Sequence, residues 1–236
     1  MKFEVIGHVH TVYPEKFGIP RQSGIIDAPG YITFEPPYDD ANAFRGLEEY
    51  DRVWLIWLAS ENMKADGGWS WHPTVRPPRL GGNARKGIYA TRSPYHPNGI
   101  GLSCVRLIAV HTDGSDFGAN GPVVEISGMD LVDGTPLLDM KPYVPYADSF
   151  PDACCSFATP PDDDILQVIL PDELKAELET STFNSSDLDI ILEMIRKDPR
   201  PRYQDVSDRV YGMSYRSYNV RFVIDHGVAT VLEIKE

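Results

Sequence analysis

Cysteine is scarce in this chain, long apolar runs are missing, and positive charge is in short supply. Three cysteines occur in 236 residues. Cys104 stands alone and the neighbours Cys154 and Cys155 cannot easily bridge each other, so no disulfide framework is expected. No Cys-x-x-Cys zinc pattern occurs. The longest apolar run, "VWLIWLA" from Val53, falls far short of the roughly 20 residues that span a bilayer. The start "MKFEVIGHVHT" puts Glu4 and His8 where a secretion signal needs unbroken apolar residues. The expectation is a soluble, cytoplasmic protein with no membrane partner. No strand-like run leads into Gly-x-Gly-x-x-Gly, and "GGNARKG" lacks the Lys-Ser/Thr ending of a P-loop, so a Rossmann nucleotide fold has no support. "GLS" lacks the Gly-x-Ser-x-Gly elbow of a hydrolase, and nothing visible activates Cys155 as a nucleophile. His8 and His10 share one strand face without a third ligand and read as structural.

What is present is a chain able to bury a core, 42% hydrophobic, with a formal net charge of −13. That charge speaks against a polyanionic partner, but its distribution matters more than its sum. From Gly67 to Thr112 there is no Asp or Glu, while Arg76, Arg79, Arg85, Lys86, Arg92 and Arg106 fall inside. Residues 151 to 198 carry twelve acids against three bases, and the stretch from Arg200 to Phe222 reverses to five arginines against two aspartates. Two basic stretches sit in an acidic protein.

Strand-like runs dominate the first half: "FEVIGHVHT", "GYITFE", "VWLIWLA", "GIYATR", "SCVRLIAV" and "VVEISGMDLV". They are short, rich in β-branched and aromatic residues, and punctuated by Gly, Pro, Asp and Asn, as in an antiparallel sheet or barrel. "DDANAFRGLEEY" suits one or two helical turns. Near residue 150 the character changes. "ILQVILPDELKAELET" and "SSDLDIILEMIRKD" bring helical spacing, with Ser186 before an apolar run that ends in Arg196 and Lys197. "SYNVRFVIDHGVATVLEIK" reads as a hairpin turning at "DHG". The fold class expected is mainly β: an antiparallel N-terminal unit over 1–150 and a small α+β unit over 151–236.

Four segments carry candidate chemistry. In "RSPYHPNGIGLS", Pro94 and Pro97 fix two φ angles while Gly99 and Gly101 permit close backbone approach, so Arg92 and Asn98 are presented on a preset bend. "KFGIPRQSG" repeats that grammar: Pro20 stiffens the chain before Arg21, a fork for carboxylate or phosphate, and Gln22, which can donate and accept. "VDGTPLLDMKPYVPYADS" begins with the hairpin signal Asp133-Gly134 and continues through Lys141, Tyr143, Tyr146 and Asp148 in a run too proline-rich for a central strand. "GGWSWHPTVRPPRLGGNARKG" sets Trp69 and Trp71 among Arg76, Arg79, Arg85 and Lys86, a mixture suited to the flat faces and phosphates of unpaired bases. Each has a bland alternative as a turn or solvated loop.

Together, "KFGIPRQSG", "HPTVRPPRLGGNARKGIYATRSP", "PNGIGLS" and "DLVDGTPLLDMKPYVPYADS" resemble the signature segments of the TsaA-like (TrmO) family of tRNA (adenine-N6)-methyltransferases, which act at position 37 beside the anticodon. "DPRPRY" and "YNVRF" are similar to the C-terminal domain of its longer bacterial members. The resemblance implies a β-barrel that binds S-adenosylmethionine near the interface of a homodimer. It implies N6-threonylcarbamoyl-adenosine in the tRNA anticodon stem-loop as substrate, and its N6-methyl form as product. Implied donor contacts fall on Pro20, Arg21, Gln22, Ser60, Glu61, Arg92, Leu102, Asp133, Gly134, Thr135 and Pro136. Ser60 and Glu61 stand where a relative has His-Gln, and His96 and Gly99 where members commonly have Arg and Pro. Those departures keep open a non-catalytic RNA-binding or regulatory module on the same barrel.

On this reading Arg21 or Arg92 takes the methionyl carboxylate, and Gln22 or Asp133 a polar edge of the donor. Arg76, Arg79, Arg85, Lys86 and Asn98, with the arginines after residue 199, are candidates for RNA contact. Asp139 and Asp148 are carboxylates available as a base; neither is assigned, and no catalytic residue is named.

Overall fold

The computed structural model describes residues 3–64, 67–77, 80, 84–158, 166–181, 183–200 and 209–236. Its first half contains β1 Gly7–His10, β2 Pro29–Phe34, β3 Arg52–Leu58, β4 Thr74–Val75, β5 Lys86–Gly87, β6 Ile100–His111, β7 Val123–Ser127 and β8 Thr135–Pro142. Six of these close into a barrel in the order β1-β2-β7-β6-β3-β8, every pair antiparallel, while β4 and β5 pair only with each other. Alternate residues point inward, so Val9, Ile32, Val53, Leu55, Val105, Leu107, Val124, Ile126 and Leu137 form one buried cluster with Met129 and Leu131. Strands rich in β-branched residues suit that pleated, half-buried surface. Closure leaves the barrel without a free edge.

Two strand expectations are corrected. "GIYATR" forms one 3₁₀ turn, Ile88–Ala90, outside the barrel. The sixth barrel strand is instead β8, within the segment expected to be too proline-rich. It is tolerated because its prolines lie at its two ends: Pro136 opposite His8 and Pro142 opposite Val53. The residues between keep their N–H groups for the ladder. The "DDANAFRGLEEY" turns are both 3₁₀, Ala41–Phe44 and Leu47–Glu49.

After the barrel come α1 Pro145–Asp148, β9 Gln167–Ile169, α2 Asp172–Thr180, α3 Ser185–Arg196, β10 Val210–Tyr215, β11 Tyr218–Asp225 and β12 Val228–Lys235. The sheet order is β10-β11-β12-β9, with β9 parallel to β12. Asn184, rather than Ser186, caps α3: its Oδ1 accepts from the Ser186 N–H at 3.0 Å. His226 and Gly227 both take positive φ, 46° and 79°, the geometry that a two-residue hairpin loop requires. One face of the sheet buries Tyr211, Met213, Tyr215, Val220, Phe222, Ile224, Ala229 and Val231 against Ile191, Met194 and Ile195 of α3.

That second core is not confined to the chain's end. Val12, Tyr13, Ile26 and Ala28, from the segment joining β1 to β2, are buried in it, with Phe17, Ile19 and Ile25 packed alongside. Gly18 holds φ +95°, and a Cβ there would lie 2.6 Å from the Met213 side chain. The Arg216 N–H donates to Val12 O at 2.8 Å. The β1–β2 connection is therefore as much a part of the C-terminal unit as of the barrel.

Candidate functional site

The corner Pro20–Gly24 hangs from both units. Pro20 is buried, and Arg21 turns toward the C-terminal unit, where its Nη2 donates to Asp198 O at 3.3 Å and Arg200 O at 3.5 Å. On the barrel side, Ser23 Oγ accepts from the Cys104 N–H of β6 at 3.1 Å, and the Gly24 N–H donates to Gly128 O at 2.7 Å. Between these anchors Gln22 stays exposed, and its Oε1 accepts from Arg92 Nη1 at 2.9 Å. Two stiff corners 70 residues apart in sequence thus meet side chain to side chain.

The Arg92 bend is held from within. Thr91 Oγ1 donates to Ile88 O at 2.8 Å, and His96 Nε2 lies 3.0 Å from Thr91 O. His96 therefore braces the bend. Gly99 takes φ +61°, which proline cannot adopt, and Trp69 lies where its Cβ would be. At Gly99 the bend packs against that indole.

Asp130, three residues before Asp133, lies behind the Gln22–Arg92 pair. Its Oδ1 accepts from Ser103 Oγ at 2.6 Å, and Ser103 Oγ accepts from Trp57 Nε1 at 3.0 Å. Burial pushes the Asp130 carboxyl up, opposed by the Ser103 hydroxyl, two backbone N–H groups including that of Ser23, and the charge of Arg92. Burial also raises the Cys104 thiol, which keeps it protonated and unreactive.

Asp133 to Pro136 form the entry to β8. Asp133 Oδ1 accepts from the Thr11 N–H at 2.9 Å, Gly134 takes φ +76° and donates to Val9 O at 2.9 Å, and Thr135 Oγ1 donates to Val132 O at 2.6 Å. Among the described residues no hydrogen bond joins Asp133 directly to Gln22 or Arg92. Their link runs through the chain from Asp130. Ser60 and Glu61 lie in the 3₁₀ turn Ser60–Asn62 after β3, which Lys16 ties to the β1–β2 connection through Asn62 Oδ1 at 3.2 Å and Glu61 at 3.9 Å. Leu102 is 46% exposed on the outer face of β6, beside Ile100 at 37%. Leu58, Ile100, Leu138, Val5, Phe3, Trp69 and Asn98 line a cleft of about 340 Å³ at that end of the barrel.

The basic candidates divide. Arg85 and Lys86 come beside Arg76 on the β4–β5 ribbon, with Arg85 Nη1 on Thr74 Oγ1 at 2.9 Å and Lys86 over the Phe157 ring. Exposed Trp71, Tyr89 and Tyr95 lie in the same acid-free segment. Arg79 lies outside the described residues. Of the later arginines, Arg200 pairs with Asp198, Arg216 with Asp187 and Arg221 with Glu233, so these already have acidic partners. Asp148, the last residue of α1, accepts from Trp54 Nε1 at 2.9 Å and the Val144 N–H at 2.8 Å, and both bonds hold its carboxyl below the usual range. Asp139 pairs with Lys141 at 2.8 Å.

Ser23, Ser103 and Asp130 lie within "KFGIPRQSG", "PNGIGLS" and "DLVDGTPLLDMKPYVPYADS", but no local pattern singles them out there, and Trp57 is one aromatic of an apolar run. The one available signal was a small polar residue, Ser103, at an inward position of an otherwise apolar alternation.

Comparison with known proteins covers the whole chain. Residues 8–149 match the family described as tRNA-methyltransferase O N-terminal domain, and residues 163–236 match the TrmO C-terminal domain. The chain is 39% identical over 233 residues to the tRNA (adenine(37)-N6)-methyltransferase of Escherichia coli K12, covering 96% of this chain and 94% of that one. Against the protein of the same name from Eikenella corrodens it is 42% identical over 164 residues, 70% of this chain and 87% of that one. A solved structure of TrmO from Pseudomonas aeruginosa is similar with a TM-score of 0.74 at 29% identity, covering 100% of this chain and 99% of that chain.

Proposed function

The chain belongs to the tRNA-methyltransferase O family, and from that premise we propose that it moves a methyl group from S-adenosylmethionine to N6 of adenine 37 in tRNA. The form acted on is N6-threonylcarbamoyl-adenosine, and one N6 proton is released. The observation that carries this reading is the 2.9 Å contact between Gln22 and Arg92, which joins two proline-stiffened corners at one exposed place.

The side chains there suit the donor. Arg92 presents an exposed guanidinium whose partner is a neutral amide oxygen; a carboxylate is the stronger acceptor and displaces it. Arg21 already serves two backbone carbonyls of the C-terminal unit. Arg92 therefore takes the methionyl carboxylate, and Gln22, once released, reads a polar edge. Leu102 and Ile100 offer apolar surface for the flat part of the donor. When bound, S-adenosylmethionine supplies a methyl group activated on a sulfonium.

The chain's own task is alignment. Displacement at carbon needs the attacking nitrogen, the methyl and the leaving sulfur in line, and orientation of this kind contributes up to about 7–11 kcal/mol. Leu58 and Ile100 extend the Leu102 face into the cleft, whose Trp69 and Asn98 provide a stacking surface and an amide for a base edge. We assign that cleft to the acceptor adenine. Asp148 and Asp139 are committed to Trp54 and Lys141, so neither is assigned as a base.

Arg76, Arg85 and Lys86 with Trp71 and Tyr89 form the surface proposed for the anticodon stem-loop. Binding there falls with salt, since phosphate neutralisation releases counterions. A homodimer is supported by the outer barrel face, where Ile56 lies opposite Leu102 and Leu58 opposite Ile100. A contiguous apolar strip of this kind, exposed at Ile100 and Leu102 and half-buried at Ile56 and Leu58, suits a subunit contact with the donor bound beside it. A cytoplasmic location accords with a tRNA substrate.

The test is labelled methyl transfer into tRNA isolated with and without the threonylcarbamoyl group. Transfer to the modified tRNA alone supports the reading. Equal transfer to both refutes the substrate. Transfer to neither, with RNA still bound, favours a binding module, for which the Ser60, Glu61, His96 and Gly99 departures speak.

A further inference from the structure

Asp130 is a mostly buried carboxylate to which the proposed reaction gives no task. The Ser103 hydroxyl of β6 donates to it at 2.6 Å, and the nearby backbone N–H groups of Ser23 and of Asp130 itself favour its charged form. An indole N–H only donates, so Trp57 Nε1 uses one lone pair of Ser103 Oγ at 3.0 Å. With Asp130 ionised, the proton of that hydroxyl points at Asp130 Oδ1, which accepts it.

Ser23 Oγ accepts from the N–H of Cys104, the residue after Ser103, at 3.1 Å, and the Ser23 N–H is near enough to Asp130 to draw its carboxyl down. The next residue, Gly24, donates to Gly128 O at 2.7 Å, at the start of the same connection that carries Asp130. The residue before Ser23 is Gln22, on which Arg92 rests. The carboxylate therefore ties β6 to the β7–β8 connection beside the two points, Cys104 and Gly128, from which the Pro20–Gly24 corner hangs.

We infer that Asp130 is the positioning residue of the methyl-donor corner, fixing the Ser23 backbone so that Gln22 and Arg92 face the donor. This rests on the donor assignment made above. Asp130 acts through Ser23 and Ser103. A carboxylate is required because asparagine keeps the size but replaces one acceptor oxygen with an NH₂ group. Either the Ser103 hydroxyl or the Ser23 N–H then faces another donor, and an unmatched buried donor is expensive.

Calorimetry with S-adenosylmethionine on the full-length chain, with methyl-transfer kinetics, tests this in wild type, Arg92→Ala, Asp130→Asn and Ser103→Ala. In Asp130→Asn the affinity for S-adenosylmethionine falls at least tenfold and its KM rises in step, while kcat at saturating donor stays within about threefold and KM for tRNA is unchanged. Ser103→Ala, which keeps the charge and removes one donor, loses about threefold or more. It carries the test if Asp130→Asn does not fold, and wild-type affinity in it then overturns the inference. A folded Asp130→Asn chain that melts earlier but binds S-adenosylmethionine as wild type does, beside an impaired Arg92→Ala, overturns the role of Asp130 alone. No binding by the wild-type chain overturns the donor assignment and this inference with it.

Discussion

The two hydrophobic cores are built differently. The barrel closes on residues of its own strands and their connections, with Val53, Leu55, Val105 and Val124 fully buried. The C-terminal core is completed by a loan from the other end of the chain, since Val12, Tyr13, Ile26 and Ala28 lie among Met194, Met213, Tyr215 and Phe222. The stretch so lent contains Pro20–Gly24. A corner anchored in one unit would follow that unit's motions; this one is fixed at Arg21 by the C-terminal unit and at Ser23 and Gly24 by the barrel. The C-terminal unit is thus a wall of the proposed donor site as well as an appendage.

The sharpest way to break this comparison is to damage each core separately. Phe222→Ala and Ile32→Ala both remove a fully buried side chain. Each should lower unfolding free energy in urea, by about 3–5 and 2–5 kcal/mol respectively. Only Phe222→Ala should also weaken S-adenosylmethionine binding in the folded protein through loosening of the β1–β2 connection. Equal effects of the two on binding would erase the distinction between the cores.

Gly18→Ala is the next largest lesion. It forces a Cβ into a φ of +95° and against Met213. A left-handed non-glycine residue costs roughly 1–2 kcal/mol and overpacking about 1–3. We expect a loss of about 2–4 kcal/mol by urea titration, with a matching fall in donor affinity. A variant of wild-type stability would show the contact between corner and second core to be loose.

Replacing Arg76, Arg85 and Lys86 together by Ala should leave both cores intact and act on RNA alone. The slope of log affinity against log salt for the anticodon stem-loop should become shallower by about 2–3, at roughly 0.7–0.9 per phosphate contact. Filter binding at several salt concentrations measures it; an unchanged slope removes this ribbon from the interface.

The smallest effect is a pH signature at the barrel's exit. Asp148 has its carboxyl lowered by the Val144 N–H and the Trp54 indole. A carboxyl depressed in the folded state contributes stability above its ordinary value of 3.8, and loses it as pH falls through the depressed one. The Trp54 indole N–H resonance should therefore hold steady down to about pH 4 and move only below. Movement between pH 5 and 7 would contradict the assigned bond.

Much of this architecture was legible in the sequence, and the limits have physical causes. Alternating β-branched residues announced β2, β3, β6 and β7, because period two is a local property. β8 was hidden by prolines whose harm depends on position, and only pairing with both β1 and β3 shows that they sit at its ends. "GIYATR" had strand composition without strand partners. The stiff corners were readable as corners, but the contact of Gln22 with Arg92 is long-range and left no local mark. Arg21 and Arg92 looked equivalent as guanidinium forks until the carbonyls of Asp198 and Arg200 claimed the first. The latch at Asp130 depends on Ser103 pointing inward and on Trp57 reaching it, a geometry that exists only once the barrel has closed.

Amide hydrogen exchange of the full-length chain, with and without saturating S-adenosylmethionine, locates the bound donor. Protection should rise in residues 18–24, 90–93 and 128–136, peaking at the Ser23 and Gly24 amides, with the sheet face of β10 to β12 unchanged. Protection gained elsewhere, with those three segments exchanging as in the free protein, would contradict a donor held at the corner between the two cores.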